Sequence, residues 1–351
     1  MKLLPFNDYN LKTLRILEAL NEASRLLAEL KGFANSIPNQ YILINAITIN
    51  EAKDSSAIEN IVTTHDKIYK VLTKSGFKDE AAKEVVDYRQ AIWRGYEIIK
   101  EKGFINTNIL VELQSIIEHN RAGIRKTPGT NLINSATGQI IYTPPQEEKE
   151  IRDLLKNLED FINNKEDGVD PLIKMALIHY QFESIHPFYD GNGRTGRILN
   201  VLYLVLNELI DSPILYLSNY INKNKMEYYR LFSDFRDNNN YEDWIIYILK
   251  GIGETSKNTI ELIKQILQEM EAYKREFIEK LPKIYSEELL NALFYEVYTR
   301  INYVEEKCSV TRQTAATHLN QLTDAGLLEY EKIGRESIYK NTRLIKLLSN
   351  F

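Results

Sequence analysis

A chain of 351 residues with a formal net charge of −5 and 26% charged residues has an ordinary globular composition, with room for two or three domains, and is not a disordered chain. The acid balance leaves no global basic field for nucleic acid, so any such contact rests on a local patch. The single cysteine, Cys308, excludes an intramolecular disulfide and a cysteine-rich zinc site. Without a long apolar stretch or a signal-peptide pattern, the expectation is a cytoplasmic protein that makes no use of a membrane.

In chain order, Leu11 to Leu30 repeats apolar residues at helical spacing, and Ser36 to Asn39 breaks the pattern. A second helix is expected to start near Thr48 or Asn50, both good caps, and to carry Ser55, Glu59 and Asn60. Asp79 to Lys100 and Asn108 to Glu118 are further amphipathic stretches. Arg121 to Gln146, rich in Gly and Pro around Gln139-Ile140-Ile141-Tyr142, predicts an irregular loop with a small β-hairpin. Asp170-Pro171 is an N-cap followed by proline at the first helical position, opening a helix to about Ser184. Ile198 to Ile210 is a buried helix, with more helices through Tyr228 and Trp244. Thr255 to Lys280 is a long amphipathic connector ended by Pro282. The expected divisions are 1–100, a catalytic core over 101–252, the connector over 253–283 and a small module over 284–351.

His186 to Arg197, His-Pro-Phe-Tyr-Asp-Gly-Asn-Gly-Arg-Thr-Gly-Arg, is the most informative run. A turn of small residues feeding a helix N-terminus is an anion site, because the backbone N–H groups there lack intrahelical partners. His186 offers an imidazole near neutrality, a group suited to removing a proton from a hydroxyl. Asp190 is either a Mg²⁺ ligand or the N-cap of the following helix. Gly191, Asn192 and Gly193 form a cradle in which backbone approaches phosphate, and Arg194 and Arg197 bring forked donors to one side. Thr195 and Gly196 complete the loop. His65, His119, His179 and His318 read as structural.

This run resembles the signature of the Fic family, His-Pro-Phe-x-x-Gly-Asn-Gly-Arg-x-x-Arg, at all eight fixed positions, and the likeness extends to most of the chain. The resemblance implies an all-α core with a small β-hairpin flap. It implies transfer of AMP from ATP, with Mg²⁺, to a Tyr, Thr or Ser hydroxyl of a target protein or of the chain itself. Gly193, where a phosphate-transferring variant carries lysine, marks the AMP-transferring form. Ser55-Ser-Ala-Ile-Glu59-Asn60 resembles the family's inhibitory motif, which implies that Glu59 pairs with Arg197 and misplaces the triphosphate. The same Glu59 is expected to align a water for removal of AMP in some members. Gln139, Ile140, Ile141 and Tyr142 match the flap that positions the target by strand addition. Tyr228 and, more weakly, Arg236 are the candidates beside adenine.

Asn302 to Leu328 has a helix-turn-helix pattern, with a Gly334 turn for a wing, and resembles the winged helix modules at the end of many Fic proteins. Arg312, Gln313 and Thr317 would face a DNA groove; a protein partner or a second copy of the chain fits the nearly balanced charge equally well. A reading from another class makes the chain a DNA-binding regulator whose core senses nucleotide; a metal-dependent nuclease or phosphatase leaves both arginines and the cradle without a task.

Overall fold

The computed structural model describes residues 1–35, 40–73, 77–133 and 140–349. Five helices come first: α1 (Leu14–Asn35), α2 (Gln40–Ile58), α3 (His65–Leu72), α4 (Glu80–Lys102) and α5 (Thr107–Glu118). A hairpin of β1 (Leu132–Ile133) and β2 (Ile140–Tyr142) precedes α6 (Glu148–Asn163), α7 (Pro171–Ile185) and α8 (Asn192–Leu206). Then come α9 (Leu217–Lys223), α10 (Lys225–Asn238) and α11 (Tyr241–Lys280). The last part runs α12 (Glu287–Tyr295), β3 (Tyr298–Thr299), α13 (Ile301–Lys307), α14 (Arg312–Asp324), β4 (Glu329–Ile333), β5 (Glu336–Lys340) and α15 (Thr342–Ser349). No helix among the described residues is long and apolar enough to cross a membrane.

The centre is the α7–α8 pair. Every residue of α8 except Gly193 is buried, and α7 exposes only Pro171 and Glu183 in part. Helices apolar on all sides belong in a core, wrapped by others. Here α4, α5 and α6 cover one side and α11 another. Side-chain caps fix the starts: Asp79, Asn106, Asp170 and Thr311 each accept a backbone N–H of the first turn, an interaction typically worth about 1 kcal/mol.

Two expectations fail locally. α2 starts at Gln40, not at Thr48 or Asn50. Thr48 Oγ1 donates to the Ile44 carbonyl at 2.7 Å and Asn50 bonds His65 at 2.6 Å, so these residues satisfy their side chains inside the packed helix and cap nothing. The connector is not a separate helix either: α11 runs unbroken over 40 residues, and the boundary at residue 253 falls within it. Its apolar face lies along α1, and that packing carries the helix through Gly251 and Gly253.

The C-terminal part is a helix-turn-helix, α13 and α14, beside a three-stranded antiparallel sheet in the order β3-β5-β4. It is docked on the N-terminal region. Asn45 Nδ2 donates to the Tyr295 carbonyl at 2.8 Å, Arg300 Nη1 to the Thr73 carbonyl at 2.9 Å, and Tyr298 stacks on Tyr69.

Candidate active site

The loop between α7 and α8 is built by backbone demands. His186 ends α7 with φ 49°, a left-handed conformation, and its N–H closes on the Phe182 carbonyl at 3.0 Å. Phe188 is 1% exposed and bridges to Ile124. The Asn192 amide holds Phe188 from both sides, accepting from its N–H at 2.8 Å and donating to its carbonyl at 2.9 Å. Gly191, at φ 77°, is the N-cap of α8. Asp190 is therefore not the cap; its carboxylate accepts the Gly191 N–H at 2.7 Å and is otherwise mostly exposed.

Arg125, which the sequence reading passed over, holds this loop in place. It is fully buried, with Nε donating to the His186 carbonyl at 2.7 Å and Nη2 to the Ile185 carbonyl at 3.3 Å and to the Pro145 carbonyl. No spacing or motif singles out an arginine within an irregular, Gly- and Pro-rich stretch.

A cavity of about 760 Å³ opens over the loop, lined among others by His186, Asp190, Gly193, Arg194, Arg197 and Glu59. Gly191 and Asn192 also line it, whereas Thr195 and Gly196 turn toward the helix packing. Both arginines are buried, at 3% and 5% exposure, and both bind Glu59. Arg194 Nε donates to Glu59 Oε2 at 2.9 Å, and Arg197 Nη2 to Glu59 Oε1 at 2.7 Å. Gly193 gives this carboxylate its space: a Cβ there would stand 2.6 Å from Glu59 Oε1. Ser55 backs Arg197, its hydroxyl accepting from Nε at 2.6 Å and its carbonyl from Nη2 at 2.9 Å. Asn60 takes φ 67° just past α2, and the Ile61 N–H returns to the Ser56 carbonyl at 3.0 Å, which closes the end of the helix. Arg194 also donates to Glu84 at 3.1 Å and Glu118 at 2.6 Å, two carboxylates absent from the sequence reading because only the fold brings α4 and α5 to α8.

The electrostatics differ from expectation at His186. Its imidazole is half-buried, not free toward solvent, and is pulled down to about 4 by burial and by Arg125, against smaller opposite pulls from the Glu183 backbone, Glu59 and Asp190. It is a neutral base at physiological pH. Burial works against the charge on Arg197, but Glu59, Tyr88 and Glu183 hold its pKa above the usual guanidinium value. Burial pushes Glu183 up to about 7 despite Arg197. Glu51, one turn before Ser55, is likewise pushed up to about 7 by burial, although it accepts from Ser218 N at 3.0 Å and from Tyr88 Oη at 3.2 Å.

Of the flap, Gln139 lies outside the described residues. Ile140 and Ile141 are exposed, and Tyr142 Oη donates to the Ser184 carbonyl at 2.9 Å. Of the two expected adenine neighbours, Tyr228 lines the cavity over the loop and Arg236 does not. Tyr228 stands beside Tyr229 on the cavity wall but is 5% exposed, packed against Trp244 with its hydroxyl 2.9 Å from His179, because an aromatic on the inner face of α10 also completes the core; Tyr229 is the more exposed ring of the two. Arg236 stands over the Tyr142 ring at 5.0 Å and pairs with Asp237, in a second cavity with Phe6 and Tyr180. Arg312, Gln313 and Thr317 are exposed on α14.

Residues 17–97 match the Fic/DOC family N-terminal region, 104–204 the Fic/DOC family itself, and 267–344 the C-terminal domain of SoFic-like protein adenylyltransferases. The chain is 29% identical over 106 residues to protein adenylyltransferase fic-1 of Caenorhabditis elegans, covering 27% of this chain and 21% of that protein. It is 41% identical over 61 residues to the probable protein adenylyltransferase aq_aa38 of Aquifex aeolicus, covering 17% and 19%. The chain thus spans about a fifth of the length of these relatives. Its fold is similar to a Fic family protein from Desulfovibrio desulfuricans, with a TM-score of 0.59 at 18% identity over 95% of this chain and 97% of that one. It is also similar to Fic-1 from C. elegans, with a TM-score of 0.55 at 19% identity over 72% and 74%.

Proposed function

The chain belongs to the Fic/DOC family, and from that premise we propose that it is a protein adenylyltransferase held inactive by its own Glu59. The observation that carries this reading is a neutral imidazole beside two buried arginines whose phosphate-binding donors are already occupied by one carboxylate.

In the active state the N–H groups at the start of α8, with Arg197, hold the phosphates of ATP. Asp190 fits a Mg²⁺ ion, since it offers an exposed carboxylate at the cavity mouth, and such an ion takes one or two carboxylates beside phosphate oxygens. Bound there, the ion would neutralise phosphate charge. His186 takes the proton of the target hydroxyl, and its buried surroundings keep it free of protons beforehand. The exposed Ile140 and Ile141 of β2 offer an edge on which an extended target segment aligns that hydroxyl. Phosphoryl-type transfer asks mainly for positioning and charge stabilisation, and this chain supplies both.

With Glu59 in place, Arg197 is not available to the γ-phosphate, and a misplacement of about 1 Å costs on the order of 100-fold in rate. Glu59 aligning a water would let the same site remove AMP, in which case Glu59→Gly loses that reverse activity. No observation favours the DNA-binding reading: of Arg312, Gln313 and Thr317 one is cationic, and the wing residue Lys340 is paired with Glu331.

The test is mass spectrometry of protein and lysate targets after incubation with ATP and Mg²⁺, reading an adduct of about 329 Da for one AMP moiety. Glu59→Gly is expected to give the adduct, and Glu59→Gly combined with His186→Ala to give none. Equal labelling of wild type and Glu59→Gly would remove the brake from this reading.

A further inference from the structure

Glu183 takes no part in the scheme above. It stands on the last turn of α7, three residues before His186, and lines the same cavity as Arg194 and Arg197. Its Oε1 is buried and has no hydrogen-bond partner. α8 comes so close that a Cβ on Gly196 would collide with this oxygen and meet the Phe182 ring at 2.9 Å. An enclosed carboxyl oxygen without a partner costs about 1–3 kcal/mol, a cost removed when a ligand supplies the missing bond.

The two arginines differ in what remains when Glu59 withdraws. Arg194 keeps Glu84 and Glu118. Arg197 has Glu59 as its one direct ion-pair partner among the described residues. The carboxyls whose charge then bears on Arg197 are Glu183 and Glu51. Glu51 is tied to Ser218 and Tyr88, whereas Glu183 has Oε1 unengaged.

We propose that Glu183 is a phosphate-positioning residue: protonated, it donates a hydrogen bond to the nucleotide phosphates beside Arg197; ionised, it neutralises Arg197 and repels them. This rests on reading the cavity as a nucleotide site. The groups that face Glu183 are Arg197 from α8, Glu59 from α2, and Tyr228 and Tyr229 from α10, with His186 on its own helix. Burial raises its pKa to about 7, Arg197 opposing and Glu59 reinforcing the shift. A phosphate in place of the Glu59 carboxylate keeps a negative neighbour there and so keeps the proton on. Once Glu59 is withdrawn the free protein loses that upward pull, so nucleotide binding between the lowered pKa of the free site and the pKa of the complex takes up a proton at Glu183, and affinity falls as pH rises through that window.

The experiment measures ATP·Mg²⁺ affinity by calorimetry from pH 5.5 to 8.5 in Glu59→Gly protein, with and without Glu183→Gln. The amide keeps a donor but does not titrate. Affinity of the Glu59→Gly protein is expected to fall about tenfold more across this range than that of the double variant. Proton uptake near pH 6.5, read from buffers of different ionisation enthalpy, is expected in the first protein and largely absent in the second. The titrations of ATP itself and of Glu51 are common to both and cancel. Should the glutamine variant not fold, Glu183→Met makes the same prediction of a missing pH step, with weaker binding at pH 5.5. Equal pH slopes and equal proton uptake overturn the proposal while leaving the nucleotide site standing. No binding at any pH in Glu59→Gly protein overturns the site reading and this proposal with it.

Discussion

Glu59 and Arg194 are joined across 2.9 Å, so one carboxylate engages both signature arginines, with Arg197 at 2.7 Å on its other oxygen. The helix that carries it cannot lift away cheaply. Ile42, Leu43, Ile44, Ile47, Ile49 and Ile58 of α2 are each at most 4% exposed, and exposing them would cost on the order of 10 kcal/mol. Release of the proposed brake would thus be a movement of the Glu59 side chain and the turn that ends α2, not departure of the helix. Each charge-assisted bond is worth about 1.5–3 kcal/mol, so Glu59→Gly is expected to raise AMP incorporation by at least about tenfold. Glu59→Gln, which keeps the volume and one accepting oxygen but loses the charge and the second acceptor, is expected to fall between wild type and Glu59→Gly in initial rates of labelling. A glutamine variant as active as the glycine variant would show that charge alone, not occupancy, sets the brake.

His186 gives a second prediction. Its pKa, lowered to about 4 from 6.5, leaves the imidazole neutral through the physiological range, and a general base works above its pKa. Removing Glu59, which raises this pKa, lowers it further. Single-turnover labelling by Glu59→Gly protein at saturating ATP is therefore expected to show its His186 acid limb below pH 5. His186→Ala is expected to lower the rate about 10²- to 10⁴-fold with a much smaller effect on thermal stability, since the loop is held by its backbone bonds to Phe182 and Arg125 and not by the imidazole. An acid limb centred near 6.5 would mean that ligand binding opens the site to water.

Much of this arrangement was legible in the sequence because it is local. The signature run, the Asp170-Pro171 cap, the helix-turn-helix and the Glu59 motif each occupy a few consecutive residues whose chemistry states their role. What was not legible depends on contacts between distant segments. Arg125 meets carbonyls about 60 positions away, and Glu84 and Glu118 reach Arg194 only once α4 and α5 lie against α8. Tyr228 shows the limit from the other side: adjacent tyrosines look alike in sequence, and the turn of α10 decides that Tyr228 is buried against Trp244 at the inner wall of the cavity while Tyr229 is exposed beside it. The start of α2 was misplaced because polar residues that cap surface helices were here bonded within a buried one.

Arg125 carries a prediction for the catalytic loop. One guanidinium satisfies carbonyls at Ile185, His186 and Pro145, tying the end of α7 to the segment that follows the flap. Lysine cannot span that fork, and its point charge would leave buried carbonyls unmatched. Arg125→Lys is expected to destabilise the protein by about 3 kcal/mol, read as a lower midpoint in denaturant, and to slow AMP transfer by Glu59→Gly protein more than it weakens ATP binding. Loss of ATP affinity with an unchanged turnover rate would place Arg125 in nucleotide binding instead.

Glu51 links the pH of the medium to the helix that bears the brake. Its carboxyl is raised from 4.5 to about 7, chiefly by burial, with the Ser218 and Tyr88 bonds and Arg197 pulling the other way. Between those values the folded protein holds a proton that the unfolded chain has released, so raising the pH through this window favours unfolding. The stability cost is absent below 4.5 and complete above 7, on the order of 3 kcal/mol. Glu51→Gln does not titrate there, and any fixed change in its bonds to Ser218 and Tyr88 is the same at every pH. The difference in unfolding free energy between Glu51→Gln and wild type is therefore expected to shift in favour of the variant by about that amount from pH 4.5 to pH 8. Parallel stability curves for the two proteins would mean that Glu51 is ionised in the folded state, held by Ser218 and Arg197 against its burial.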